Sequence, residues 1–487
     1  VKISKKQYAV GLGCLAVCSV MIFLLAMPPG SRTGTEENGE GSSSMGQKIT
    51  LDYNRRYQSI DGFGASGAWW AQEVGGWDNL DQIMDLLYDE QKGIGLNIYR
   101  YNIGAGKPAV ATDPWRTTET VEVSPGVYDL SRDKNAVHAM KEAAKRGADI
   151  VLFANSPPAR LTLSGYSSGE PNGKSNLPPE NEDEFAKYLV DITELFVKEG
   201  VPVKYLSPIN EPQWEWKNGQ EGCHYEPEQV ISLSRKVAQE LEARKLPVKL
   251  LIAESGAWND PEYTLTMYKR IMSDEVLSKH IDAYAVHSYW SSAKDKEIAA
   301  EYFSQFENML PLHQTEWCEM LNGNAASMEA ALVLARTIHE DMTILSVSTW
   351  EQWLAVAKGD YRDALVYVNP QTKQFGTAKR MWSFGNYSKF VKPGYHRIEA
   401  DIEDSDVLTT AYVSPEGDRA VIVAINPSKQ EKPVAFEELE GKKTQVYETS
   451  EAHNLDLVKE VNGLEGYTLP PESVTTFVVQ AGKSRFL

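Results

Sequence analysis

Two glutamates carry the strongest chemical signal in the chain. The run Tyr205-Leu206-Ser207-Pro208-Ile209 ends in Asn210-Glu211-Pro212, and Leu310-Pro311-Leu312-His313-Gln314-Thr315 runs into Glu316-Trp317. Both carboxyls thus follow a strand-like segment, which is where a parallel barrel displays its reactive groups. If the two runs are the fourth and seventh strands of an eight-stranded barrel, the acids face each other across its mouth. Carboxyls about 5–5.5 Å apart suit cleavage of a glycosidic bond with retention, one protonating the leaving oxygen while the other attacks the anomeric carbon. Asn-Glu-Pro is also an ordinary turn trio. The second acid is what gives the pair chemical meaning.

The two acids must differ in environment, because one has to stay protonated near neutral pH and the other ionised. Asn210 and Trp214 flank Glu211, and Arg100, near another strand end, is expected to approach Glu316. An arginine there is also compatible with an ordinary ion pair. His287 and His313 read equally as proton-tuning groups or as hydrogen-bonded structural histidines. Trp214, Trp216 and Trp353 are candidate stacking platforms for sugar rings, with core packing the alternative. The eight His and four Cys show no zinc-ligand spacing, so no metal site is expected.

An α/β architecture has to position these groups. Strand-like runs fall at Ser59–Gly64, Asn97–Ile103, Ile150–Ala154, Lys204–Ile209, Val248–Ala253, Ala283–His287, Leu310–Gln314 and Ile344–Thr349, with amphipathic segments at 80–92, 133–146, 181–199, 226–244, 261–277 and 325–340. Eight strand–helix units in series most simply close into a (β/α)8 TIM barrel, here placed at 61–383, with a doubly wound open sheet as the competing arrangement. From 384 to 487 short alternating runs such as Val421–Ile425, Thr444–Glu448 and Ser473–Val479 predict a side β-sandwich domain. Residues 47–60, with Ile49–Tyr53, are expected to add a strand to it.

Lys2, Lys5 and Lys6 precede a largely apolar run from Tyr8 to Met27, followed by Pro28-Pro29-Gly30. That run is long enough to span a bilayer with its lysines inside. Residues 1–30 are therefore expected to be a signal or membrane anchor, cleaved or kept, and 31–46 a flexible linker. The protein is expected outside the cell, secreted or anchored through this segment only, and monomeric. Cys223 and Cys318 lie in the globular part, where one disulfide and two buried thiols are both compatible with export. The formal charge of -19 over 487 residues argues against nucleic acid and anionic membrane surfaces as partners.

At these residues the chain resembles glycoside hydrolase family 30, from about residue 47 to the end. The likeness rests on Asp61-Gly62-Phe63-Gly64, Asn155-Ser156-Pro157-Pro158, Asn210-Glu211-Pro212, His287-Ser288-Tyr289-Trp290, Thr315-Glu316-Trp317, Ser388-Lys389-Phe390-Val391-Lys392-Pro393-Gly394 and Ser473-Val474-Thr475-Thr476-Phe477, in that order. It implies a barrel fused to a side β-sandwich and a retaining mechanism, with Glu211 as acid/base and Glu316 as nucleophile. It further implies that Asn210 binds the hydroxyl next to the reacting carbon, that Tyr289 bonds the nucleophile and that Trp350 floors the subsite of cleavage. It implies no metal or organic cofactor, and a β-linked oligo- or polysaccharide as partner.

Within the family, several stretches resemble the endo-β-1,6-galactanase branch. These are Ala65 to Ala71 with Trp69-Trp70, Arg100-Tyr101-Asn102-Ile103-Gly104, Asn155 where many members carry Trp, and Gln220-Glu221-Gly222-Cys223-His224. Arg160 departs from that branch and Glu316-Trp317-Cys318 points to no single branch, which keeps β-1,4-xylan and β-1,6-glucan open as substrates. A non-catalytic, cell-surface carbohydrate-binding protein is the reading from another class. Its hallmark would be loss of one carboxyl, and both are present.

Overall fold

The computed structural model describes residues 46–482, apart from 108–112, 117, 218, 404–405 and 438, together with Phe486. The expected anchor, and the linker up to residue 45, lie outside the described residues. Among the described residues no helix is long and apolar enough to cross a membrane.

The described residues open with β1 (Gln47–Ser59) and then enter a set of short parallel strands: β2 (Gly62–Ser66), β3 (Ile98–Asn102), β4 (Asp149–Phe153), β5 (Val203–Ser207), β6 (Lys249–Leu250), β7 (Ala253–Ser255), β8 (Tyr284–Val286), β9 (Leu312–Gln314) and β10 (Thr349–Lys358). Their hydrogen-bonded order is β6-β5-β4-β3-β2-β10-β9-β8-β7. β6 and β7 are two pieces of one interrupted strand, so the two ends of this order meet. Leu251 donates to Leu206 (3.0 Å) on one side of the break, and Ala285 donates to Ile252 (3.0 Å) on the other. The sheet is therefore a closed eight-strand barrel, which excludes the open-sheet alternative.

Side chains alternate along each strand between the barrel axis and the surrounding helices. Ile98, Val151, Tyr205, Leu251, Ala283 and Ala285 form one compact apolar cluster inside. Toward the carboxyl ends the interior becomes polar, with Arg100, Glu254, His287, Thr315 and Glu351 all buried. The outer layer holds α1 (Leu80–Tyr88), α2 (Lys134–Lys145), α3 (Glu182–Lys198), α4 (Pro227–Ala243), α5 (Met267–Met272), α6 (Ala293–Phe303) and α7 (Met328–Glu340). In α3 the face expected from 3.6-residue spacing, Phe185, Leu189, Ile192, Leu195 and Phe196, is buried except for the half-buried Leu195.

Three strand expectations need correction; the first, Ser59–Gly64, is split between the end of β1 at Ser59 and β2 from Gly62 to Ser66, which lie in different sheets. The strand expected at Ile344–Thr349 starts instead at Thr349 and runs to Lys358, because residues Asp341–Leu345 complete a helical turn that ends on Ser346 in the left-handed region (φ 55). The run Val248–Ala253 is broken rather than continuous, as described above. The helix Ala293–Phe303 was not anticipated. Its capping box was visible, Ser292 accepting from the Asp295 N–H while Asp295 accepts from the Ser292 N–H.

Helix α8 (Lys379–Ser388) leads into a nine-stranded, mostly antiparallel sheet that also contains β1. β1 pairs antiparallel with His396–Ile402 and parallel with Lys432–Phe436. Phe436 and Phe477 meet at 4.8 Å although four strands separate theirs in the sheet order, so the sheet folds over a core of its own. Its other face, with Val421, Val423, Ile425, Val474 and Val478, packs into the same core as the barrel helices. Asn386 of α8 stitches the two together: it donates to Thr476 (2.9 Å), and accepts from Thr449 (2.7 Å) at its side chain and from Thr476 (2.8 Å) at its carbonyl.

Candidate active site

Glu211 and Glu316 follow the fifth and ninth strands as numbered here, on the carboxyl edge of the barrel, and both line one cleft of about 450 Å³. One oxygen of each, with a nitrogen of His287, falls within 4.8 Å of the others. Nearest oxygens that close accord with the carboxyl spacing of about 5–5.5 Å at which two acids act on one glycosidic bond with retention. Both residues are largely buried, with only their tips reaching the cleft.

The surroundings of the two acids differ. Glu316 accepts from Arg100 Nη1 at 2.6 Å on one oxygen and from Tyr289 OH at 3.1 Å on the other. Arg100 is wholly buried over the Phe153 ring (3.9 Å) and also donates to Asn210 Oδ1 at 3.1 Å. Among the described residues Glu211 instead has a single side-chain hydrogen-bond partner, His287 Nδ1 at 3.0 Å. Burial raises the Glu211 carboxyl above the ordinary range, against the opposing pull of His287. The pair is thus asymmetric in the sense that acid and nucleophile roles require.

A third carboxylate, Glu254, supports both. His287 Nε2 donates to Glu254 at 2.8 Å, Thr315 donates to it at 2.5 Å and Arg100 stands 3.6 Å away. Burial alone would push this acid up, but Arg100 and His287 pull it down to about 2. His287 goes the other way: burial lowers it, yet Glu316, Glu211 and Glu254 carry it to about 10. Two buried cations therefore face the fixed carboxylate Glu254 and the substrate-facing Glu316. Glu351, deeper in the barrel, is pushed up by burial to about 8 and stays neutral at pH 7. Glu211, His287 and Glu316 are also spaced to hold a metal ion. The guanidinium of Arg100, 2.6 Å from Glu316, sets a fixed positive charge beside them that opposes a cation there.

Local backbone geometry is specialised here. Glu211 (φ 44), Glu254 (φ 55), Trp69 (φ 66) and Trp290 (φ 48) all take the left-handed conformation, each at a cost of about 1–2 kcal/mol for an L-residue. The Glu211 N–H is tied to the Glu254 carbonyl at 2.9 Å, which locks its loop to the interrupted strand. Gly256 lies under the acid. A Cβ there would meet Gln213 Nε2 at 2.5 Å, Glu211 Oε1 at 3.1 Å and Trp214 Nε1 at 3.4 Å.

Of the substrate-binding candidates, Asn155, Asn210, Trp214 and Tyr289 line the cleft, while Arg100 and His287 stand behind it. Trp350 does not form the floor. It points outward from β10 into the helix layer, buried against Trp317 and Phe384, with its Nε1 donating to Asp341 at 2.8 Å. Side-chain alternation turns Glu351 and Trp353 inward instead, and Trp353 lines the cleft, edge-on to Trp69 (5.2 Å). His313 sits at the opposite end of the barrel, 3.1 Å from Asp61, and is structural. Cys223 and Cys318 are buried free thiols, so the unbridged alternative holds. Glu254 escaped the sequence reading although it too ends a strand-like run; Trp290, Met320, Arg116 and Asp363 come from loops whose course no periodicity reveals.

A closed β/α barrel with two facing carboxyls at its mouth, one of them addressed by Arg and Tyr, defines a glycoside hydrolase. The chain belongs to O-Glycosyl hydrolase family 30, whose family model matches residues 46–367. Glucuronoxylanase XynC of Bacillus subtilis is 25% identical over 71% of this chain and 77% of its own length. An endo-beta-1,6-galactanase of Hypocrea rufa is 24% identical over 68% of this chain and 73% of its own. Among solved structures, a conserved exported protein from Bacteroides fragilis superposes with a TM-score of 0.81 at 27% identity, covering 89% of this chain and all (100%) of that one. The protein is therefore an O-glycosyl hydrolase of the retaining kind, acting on β-linked carbohydrate.

Proposed function

We propose that Glu316 is the nucleophile and Glu211 the acid/base of this hydrolase, and that its substrate is a β-1,6-linked galactan of the kind found in arabinogalactan side chains. The observation that carries the roles is the asymmetry of the two acids: Glu316 is bonded by Arg100 and Tyr289, and Glu211 is buried against His287.

In the first step a Glu316 oxygen attacks the anomeric carbon as the glycosidic bond breaks, and the Glu211 proton passes to the departing oxygen. In the second, Glu211, now a base, takes a proton from water, which adds to the same carbon and releases Glu316. The Asn210 side chain, held by Arg100, offers its amide N–H₂ to the hydroxyl beside the reacting carbon. The substrate reading rests on the sequence stretches around Trp69-Trp70, Asn155 and Glu221 and on the Hypocrea relative. In this chain Asn155 bonds Asn102 (3.4 Å), and Asn102 in turn bonds the buried Glu221 (3.4 Å), so the three act as one wall segment. Xylan is the second reading, supported by the comparable likeness to the glucuronoxylanase. Export, secreted or anchored, is proposed from the amino-terminal run.

The test has two parts. Linear β-1,6-galactan, β-1,6-glucan and xylan are incubated with the enzyme, and the first product anomer is read by NMR. Cleavage of galactan with a β-anomer first is expected, and cleavage of xylan alone would overturn the substrate. Glu316→Ala should lose about 10⁴-fold or more on every substrate. Glu211→Ala should lose about 10²–10⁴-fold on polysaccharide and regain rate with azide, which fills the vacated space and attacks the glycosyl-enzyme. Equal loss in both variants with no azide response would reverse or remove the assignment.

A further inference from the structure

Trp290 spends conformational energy to stay in view. It follows Tyr289 on the loop after β8 in a left-handed conformation (φ 48) that a bulky residue rarely takes, and the residue remains 52% exposed. The ring stands 4.8 Å from that of Trp214, at 72°, and 5.2 Å from that of Tyr289. Met320, 46% exposed, lines the same cleft from the loop after β9.

The side of the cleft on which these residues lie fixes what they meet. Trp214 is beside the acid, since both its Nε1 and Glu211 Oε1 approach the space over Gly256. The acid delivers its proton to the leaving oxygen, so the chain beyond that oxygen passes over the Trp214 side. The opposite wall is Trp69 and Trp353, with Arg116 over the Trp69 ring at 5.0 Å. Exposed aromatic faces that are continuous with a reaction cleft stack on the apolar faces of sugar rings.

On the retaining-hydrolase reading above, we propose that Trp290, backed by Trp214 and extended by Met320, is a stacking platform for the leaving-group sugars of a polymeric substrate, and that it makes the enzyme an internal cutter of chains. The platform holds the sugars leaving with the aglycone while leaving the bond-breaking geometry to Glu211 and Glu316. Its removal should raise KM for polymer more than it lowers kcat. Long chains should suffer, whereas a substrate with no leaving-group sugar should not gain from the platform at all.

The experiment compares Trp290→Ala and Trp290→Phe with wild type on two substrates of the same sugar. One is the polysaccharide of the panel that wild type cleaves, and the other is the glycosyl fluoride, whose leaving group is a single atom. For W290A the loss of kcat/KM on polymer should exceed the loss on fluoride by about ten- to thirtyfold, the scale of one aromatic anchor. W290F should recover most of it, and sizing of early products should shift from mid-chain fragments toward short ones. Equal losses on polymer and fluoride, or a W290A enzyme indistinguishable from wild type, would overturn the platform while leaving the hydrolase reading intact. A wild type that cleaves neither substrate would overturn the hydrolase reading and the platform with it. Melting curves of both variants control for folding.

Discussion

At the scale of single residues, the site is a problem in placing charge inside a protein. Arg100, His287, Glu254 and Glu316 are buried together, which is tolerable only because each is paired and hydrogen-bonded. His287 is the member whose removal is most informative. Its bond lowers the Glu211 carboxyl, so without it that acid should keep its proton to higher pH. The first step needs Glu211 protonated, and activity is lost as pH rises through its pKa. His287→Gln should therefore move the alkaline limb of the kcat/KM profile upward while lowering the maximum. A limb that stays put, or moves down, would mean that His287 does not act on Glu211. Glu351 makes a second pH argument, one about stability. Its folded pKa, about 8, lies above the ordinary value, so its contribution is fully present at low pH and fades as pH rises toward 8. Glu351→Gln should consequently narrow the difference in Tm between pH 5 and pH 8.

At the scale of elements, the strand ends matter more than the strands. Glu211, Glu254 and Glu316 are presented by turns whose backbone is held by neighbours, as in the Glu211-to-Glu254 link. Gly256→Ala tests how tight that fit is. Gln213 can swing aside, but Glu211 cannot give way without leaving its His287 bond. The variant should fold with nearly unchanged Tm and lose about 10- to 100-fold in kcat, measured on any cleaved substrate. Wild-type kcat in a well-folded G256A would show that the acid has room to spare. Much at this scale was legible in advance. Carboxyls after Ile209 and Thr315 announced themselves because a strand period stops just before them, and the α3 face repeated every three to four residues. Trp350 was misplaced for a simple reason. Its role was carried over from the family likeness, and a motif position does not fix which of the alternating inward and outward faces of β10 a side chain takes. Loop residues such as Trp290 and Asp363 had no period at all, so only three-dimensional closure of the barrel brings them to the cleft.

At the scale of the whole molecule, barrel and side sheet share one core through α7 and α8. Asn386 is completely buried between them and meets Thr449 and Thr476. Asn386→Ala leaves hydroxyls of both threonines without that partner and should cost about 2–3 kcal/mol, seen as a lower Tm in a single calorimetric transition. Kinetics on polysaccharide should not change, because the cleft lies at the other side of the helix layer. Separation into two transitions would mean that the two parts are held together chiefly by this residue.

The placement of β1 sets a timetable for the newborn chain. Its residues are translated ahead of the barrel, yet their antiparallel partner at His396–Ile402 is made more than three hundred residues later. At ordinary ribosome speeds this leaves a thirteen-residue segment with both edges open for roughly 20 to 70 s. Its alternation of apolar Ile49 and Leu51 with charged Lys48 and Asp52, and the paired Arg55 and Arg56 further on, would keep it from annealing to a sister chain while it waits.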